Sequence, residues 1–378
     1  VYICKLIHSY FYDFNSMFAE RYISPKKLYN FIINLDKSVN IKIIGKSVQK
    51  RPIYQLKIGS GSKIILLWSQ MHGNETTTTK ALFDFIPWLI SKNNKDYLKR
   101  FTFYIIPQLN PDGAKLYTRN NFNDVDLNRD AIKLSQPESK CLINLYNEIN
   151  PDFCFNLHGQ RTIYSVGDSQ KSAVISFLAP SISYNNQINK AREKSILLII
   201  SLFNDLDVHI SGHISRYKDD FNENCMGDHF TANNTPTILI EAGHYPNDYK
   251  REITKKYVLK TLVFSTLSLF NKKYLNNSVN DYLKIPENKE KFVDLIISGV
   301  TIDNNGTKHK DQMLALNYKE SVKKGKIYFT PYFVSFGKKL NCYAHKFIDF
   351  SKENNNTFSF KLDFPLKKSE LSDLLLTE

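Results

Sequence analysis

One eight-residue link between an apolar run and a helix constrains this chain more than any other stretch. Ile64-Ile65-Leu66-Leu67 is continuously apolar, the pattern of a strand buried on both faces. Thr76 to Lys92 reads as a helix, and Trp68-Ser69-Gln70-Met71-His72-Gly73-Asn74-Glu75 joins the two. Open α/β sheets bind their ligands beyond the carboxyl ends of the strands, which is where this link lies. His72 and Glu75 stand three residues apart on it. An imidazole and a carboxylate so placed can both reach one divalent cation. Two ligands do not complete a zinc site, so the rest of the chain must bring a third.

The remaining pattern alternates strands and helices. Ile41 to Ile44 and Ile53 to Ile58 read as strands, with Arg51-Pro52 as the turn between them. Phe101 to Ile106 is a strand rich in aromatic and β-branched residues. Asn110-Pro111-Asp112-Gly113 reads as a turn. Ser135-Gln136-Pro137-Glu138 has the form of a capping box, and its helix carries Cys141, Leu142, Leu145 and Ile149 on one face. Phe153 to Leu157 is a strand with His158-Gly159 at its carboxyl end. Ile188 to Leu206 and Tyr249 to Phe270 read as helices. Thr237 to Ile240 is a short strand that ends in Glu241-Ala242-Gly243. The alternation predicts the α/β class, with a mixed sheet and helices on both faces.

A length of 378 residues suggests one large and one small domain. The texture changes after Asn271, and strands are expected over Val293 to Thr301, Ile327 to Phe336 and Phe358 to Phe364. We expect a main domain over 1–274, with 1–36 as a helical N-terminal extension, and a small β-rich domain over 275–378. No cluster of functional residues is visible in the second.

The net charge of +14 invites a nucleic-acid or membrane partner. The distribution argues against both. Lysines number 42 and arginines 9, and the lysines are scattered rather than gathered in a stripe; nucleic-acid readers rely on arginine for two-point contacts. No 18-residue apolar run is present. Val1 to Ala19 lacks the form of a secretory signal, although the chain begins at Val1 and not at Met. Five cysteines without a C-x-x-C pair suggest neither a disulfide framework nor a cysteine zinc cluster. A reducing, cytoplasmic compartment is the expectation, and any metal must be held by histidine and carboxylate.

His158 and Glu241 both lie at the ends of predicted strands, so both can face the crevice that holds His72. Two histidines and one glutamate form the ligand set of hydrolytic zinc sites, which leave one position open for water. A carboxylate such as Glu241 could take a proton from that water. Arg119 and Arg129 lie in the polar loop between the ligands. Taken singly they are solvated charges; together they offer a fork for a carboxylate and a donor for an oxyanion.

In this order the motifs resemble the zinc carboxypeptidases, the M14-type metallopeptidases. The resemblance runs from about Lys63 to Gly243. It rests on His72-Gly73-Asn74-Glu75, Asn110-Pro111-Asp112-Gly113, Arg119, Val125-Asp126-Leu127-Asn128-Arg129, Gln136-Pro137-Glu138-Ser139, Leu157-His158-Gly159 and Ile240-Glu241-Ala242-Gly243. It implies an eight-stranded twisted sheet flanked by helices, and one zinc ion on His72, Glu75 and His158. It implies Asn128 and Arg129 on the substrate's terminal carboxylate, Arg119 on the scissile carbonyl, and Glu241 as general base. Tyr217 is the candidate, by position, for the family's loop tyrosine. Asp130 departs from the asparagine common in the family. Gly227-Asp228 falls where the side-chain pocket is usually set, and no residue preference follows from it.

The expected activity is therefore a zinc-dependent carboxypeptidase that hydrolyses the C-terminal amide bond of a peptide bearing a free carboxylate. Two alternatives stay open. One is a deacylase or amidohydrolase that acts on N-acyl amino acids or cell-wall peptides through the same site. The other is a binding module that keeps zinc without turnover.

Overall fold

The computed structural model describes residue 18, residues 20–304 and 306–351, and the backbones of two short strands, 359–361 and 376–377. Half of the helical extension expected over 1–36 lies outside the described residues. Within them, α1 spans Pro25–Ile32, with the Ser24 hydroxyl accepting from the Lys27 amide at its start.

The main sheet has eight strands. β1 (Asn40–Lys46), β2 (Pro52–Gly59), β3 (Lys63–Ser69) and β4 (Phe101–Ile106) build one half. β5 (Phe153–Gly159), β7 (Ile175–Leu178), β8 (Ile214–Arg216) and β9 (Thr237–Ala242) build the other. Their spatial order is β1-β2-β4-β3-β5-β9-β7-β8. The centre β4-β3-β5-β9 is parallel, and antiparallel pairs flank it on both sides. The mixed eight-stranded sheet expected from the sequence is thus present.

The apolar run in β3 works because both of its faces are covered. Ile65 and Leu67 pack with α2 (Thr76–Ile90) and α8 (Glu252–Phe270) on one side, with α6 (Lys190–Asp207) in the same core. Leu66 and Trp68 point the other way, toward α5 (Pro137–Ile149) and α7 (Met226–Ala232). Two short helices, α3 (Lys95–Arg100) and α4 (Pro111–Leu116), complete the domain.

Three local expectations change. The turn before β2 lies at Ser47–Lys50, with Lys50 at φ 63°, and Pro52 opens the strand. Asn110-Pro111 does not make an open turn: the Asn110 side chain accepts from the Gly113 amide and caps α4, with Pro111 at the first helical position. Ser135–Glu138 is no capping box. Helix α5 starts at Pro137, and Glu138 instead accepts from the Val48 amide and the Asn121 carboxamide. The Ser135 hydroxyl and amide go to Asp130.

Beyond α8 the chain makes two short 3₁₀ turns and then a second, six-stranded sheet. β11 (Phe292–Asn304), β12 (Thr307–Lys323) and β13 (Lys326–Gly337) form an antiparallel ribbon. β14 (Tyr343–Asp349) pairs parallel to β11, as does β15 (Ser359–Lys361), and β16 (Leu376–Thr377) pairs with β13. Before it, β10 (Asn288–Glu290) pairs with β6 (Tyr164–Val166), which stitches the two halves of the chain together. The small sheet also packs on the main domain through Tyr22, Tyr117, Ile327 and Phe329. No described helix is long and apolar enough to cross a membrane.

Candidate active site

The link after β3 folds tightly. Gln70 sits at φ 46°, fully buried, with its side-chain amide on the Gly73 carbonyl. Gly73 allows the link to lie flat on the first turn of α4, because a Cβ there would fall 2.0 Å from the Gly113 carbonyl carbon. Glu75 then occupies the position just before α2 but caps nothing. Its carboxylate is free to turn into the crevice.

His158 is not beyond its strand, as expected from the sequence, but inside it: β5 runs through Gly159. Across the parallel pair, His158 and Glu241 stand opposite each other in register. The sheet therefore aims both side chains at the same side of the crevice.

His72, Glu75 and His158 converge. His72 Nδ1 lies 2.8 Å from Glu75 Oε1, and His158 Nδ1 lies 2.9 Å from Glu75 Oε2. The two Nδ1 atoms are 3.1 Å apart. One candidate atom from each residue lies within 4.8 Å of the others. The Gly159 amide also donates to Glu75 Oε2 at 2.9 Å, which fixes the carboxylate. Two imidazole nitrogens facing one another need a shared proton or a cation between them. This nitrogen and oxygen donor set, with its centre open toward the cleft, fits a divalent zinc ion.

Burial disfavours a charge on His72, but Glu75 and Asp126 outweigh it and hold its pKa at about 9. His158, more deeply buried, is held below its ordinary value by that burial. Burial alone would raise Glu75, yet the two histidines hold it well below the usual carboxylate range.

Glu241 is 8% exposed, and its Oε2 has no hydrogen-bond partner among the described residues. Burial, and then the charge of Glu75, push its pKa up to about 8. A cation beside Glu75 would draw it down again. Arg119 is tied by Nε and Nη2 to Asp126 Oδ2 at 3.1 and 3.0 Å, while Nη1 lies 3.7 Å from Glu75.

Asn128 and Arg129 sit on a short 3₁₀ turn, Leu127–Arg129, that Asp126 caps. The Asn128 carboxamide oxygen accepts from the Met226 amide, which points its Nδ2 donor the other way. Arg129 Nη1 donates to the Asn128 carbonyl and to Cys225 Sγ. Both residues line a pocket of about 650 Å³ that also touches His72, His158, Glu241 and Asp228. Asp130, the departure from the family pattern, is buried and binds the Ser135 and Gln136 amides at the start of α5.

Tyr217 follows β8 and reaches the site, its hydroxyl 3.2 Å from that of Tyr164. Burial and then Glu241 raise its pKa. A second cleft, of about 610 Å³, adjoins the first and shares Arg119, Tyr164, Tyr217 and Glu241 with it. Glu75, Arg119, Tyr164, Tyr217 and Glu241 line its inner end.

The structure thus gathers every candidate from the sequence into one crevice: His72, Glu75, His158, Arg119, Asn128, Arg129, Tyr217 and Glu241. Two residues without an expected role join them. Asp126 carried a signal, since it precedes Asn128 by two residues in a capping position. Tyr164 carried none, because its strand is set by pairing with distant β10. No cluster of functional residues is visible in the sequence of 275–378, yet Tyr318 and Glu320 on β12 line the second cleft.

Residues 28–201 match the family model of the zinc carboxypeptidases. Carboxypeptidase SOL1 of Arabidopsis thaliana is 28% identical over 155 residues, 35% of this chain and 32% of that protein. Carboxypeptidase M of Mus musculus is 28% identical over 160 residues, 35% of this chain and 36% of that protein. The chain spans about a third of the length of these relatives. The fold is similar to that of a metallo-carboxypeptidase from Burkholderia cenocepacia, with a TM-score of 0.52 at 14% identity over 68% of this chain and 71% of that one. Thrombin-activatable fibrinolysis inhibitor gives 0.54 at 17% identity over 70% and 80%. The matched span holds both converging histidines, Glu75, Arg119, Asn128 and Arg129, and over it the chain is similar to the zinc carboxypeptidases.

Proposed function

We propose that the protein is a zinc-dependent carboxypeptidase that binds one zinc ion through His72, Glu75 and His158 and releases the C-terminal residue of a peptide. The observation that carries this reading is the placement of the three ligand atoms between two pockets. One pocket holds Asn128 and Arg129, the other opens toward the second sheet, and Glu241 borders both.

When bound, zinc supplies the Lewis acidity that makes a water nucleophilic near neutral pH and polarises a carbonyl. The protein's residues do the rest. The Asn128 Nδ2 and the free side of the Arg129 guanidinium hold the substrate's terminal carboxylate. That fixes the scissile carbonyl beside Arg119, whose Nη1 is the nitrogen not engaged by Asp126 and donates to the developing oxyanion. Glu241 Oε2, which lacks a partner, accepts the proton of the attacking water and passes it to the leaving amine. Tyr217 closes the acyl side with its ring and hydroxyl.

The acyl-side cleft favours a peptide over a small N-acyl amino acid, since about 610 Å³ is room for several residues and an acetyl group would leave it open. The test is a mass-spectrometric release screen on zinc-loaded protein, using peptides with free and with amidated C-termini. Stepwise loss of the last residue from the free acids only is expected. Equal cleavage of the amides, or hydrolysis of N-acyl amino acids alone, would overturn the reading.

A further inference from the structure

The acyl-side cleft runs from the catalytic residues to the seam between the two sheets, and a charge is buried in that seam. Arg251 lies just before α8, is 3% exposed, and lines the cleft. Among the described residues its side chain makes one hydrogen bond, a long one from Nη2 to the Gln160 carbonyl at 3.4 Å, and Nε and Nη1 make none. Leaving charged donors buried and unbonded is unfavourable, so such groups are normally paired.

The neighbouring carboxylates do not fill the role. Glu320 accepts from Arg21 on Oε1 and from the Tyr117 hydroxyl on Oε2. Asp294 accepts from the Tyr249 hydroxyl and the Tyr318 amide. Asp248 accepts from the amides of Glu252 and Thr254. These acids balance charge at a distance, but each already holds donors of its own. Burial, and then the like charge of Arg21, lower the Arg251 pKa to about 10, which still leaves it cationic at neutral pH.

The direction of the substrate follows from the proposed function, on which this inference rests. With the terminal carboxylate at Arg129, the upstream residues must leave the scissile bond toward the 610 Å³ cleft. We propose that this cleft is an acidic-residue subsite, in which Arg251 receives a substrate carboxylate carried by one of the first three residues upstream of the scissile bond. The planar guanidinium matches a carboxylate in shape and charge, and a neutral amide satisfies it less well.

The experiment uses three pairs of peptides, each pair with Glu or Gln at one of the three upstream positions and otherwise identical. Both kcat/KM and equilibrium binding are measured on the zinc-loaded protein. A preference of about 10-fold or more for Glu is expected at one position. In R251Q that ratio falls to near one; R251K, which keeps the charge, retains part of it and guards against a folding defect. Ratios near one at all three positions in the unaltered protein, or a preference that survives in R251Q, would overturn the subsite. If no peptide is cleaved, the carboxypeptidase reading fails, and the binding ratios still decide the subsite.

Discussion

His72 Nε2 lies 3.0 Å from Asp126 Oδ1, and this contact determines which nitrogen of His72 faces Glu75. With Nε2 committed to a carboxylate, Nδ1 is left with its lone pair toward the cation site. The same carboxylate holds Arg119 through Oδ2 and caps the turn that carries Asn128. One side chain thus joins a candidate ligand, the proposed oxyanion donor and the proposed carboxylate clamp. Burial works against its charge, but His72, Arg119 and the Asn128 amide hold it well below the usual carboxylate range.

Asp126→Asn should therefore weaken zinc binding by roughly 10- to 100-fold, the usual cost of losing a hydrogen-bonded carboxylate behind a metal-bound histidine. It should also lower kcat, since Arg119 is released. Competition with a chromophoric chelator measures the first effect and steady-state kinetics the second. Unchanged zinc affinity would show that the His72 tautomer does not depend on Asp126.

Glu241→Gln tests the base separately from the metal. Glu241 touches neither histidine by a hydrogen bond, and the variant keeps its shape. Zinc content should stay at one per chain while kcat falls on the order of 10²-fold or more. Near-normal turnover with full zinc would remove Glu241 from the mechanism.

The sequence announced most of this centre because its residues stand at strand ends, where α/β sheets expose side chains to ligands. His72 and Glu75 are close in the chain, and His158 and Glu241 are brought into register by neighbouring strands whose apolar patterns are plain. The misread segments were polar ones with more than one local solution. Asn110-Pro111 suits a turn or a helix start, and the Asn110 carboxamide, which accepts from the Gly113 amide and donates to the Met71 carbonyl, selects the helix start. Ser135 looked like a cap, but Asp130 takes both its donors. The role of Arg251 was out of reach, because its surroundings come from residues 21, 117 and 320, set together only by the docking of the second sheet.

Zinc affinity should depend steeply on pH. Metal-free His72, with a pKa of about 9, carries a proton at neutral pH that the cation must displace. Glu241, at about 8, releases a second as the cation's charge lowers its pKa. His158 is held low and Glu75 stays ionised, so neither adds a proton. Between pH 6 and 8 the apparent affinity should rise about 10- to 100-fold per pH unit. Calorimetry in two buffers of different ionisation enthalpy should find between one and two protons released at pH 7, and about one in Glu241→Gln. Release of fewer than half a proton would contradict the charge assigned to His72.

Asp228 gives a pH dependence of stability that is separate from the metal. It is buried in the pocket beside Arg129, and burial pushes its pKa up to about 7, against the pull of the Asn222 amide. A carboxyl raised in the folded state binds its proton more tightly there than in the unfolded chain. Its contribution is therefore favourable below the unfolded value near 4, and is lost as pH rises through 7. The loss is on the order of a few kcal/mol, taking about 1.4 kcal/mol per pKa unit as an upper bound. Asp228→Asn lacks this loss, so its stability relative to the unaltered protein should improve steadily from pH 5 to pH 8. Zinc release at low pH affects both proteins alike and cancels in the difference. Urea unfolding at four or five pH values measures it, and a difference that stays flat across the range would mean that Asp228 is ionised throughout.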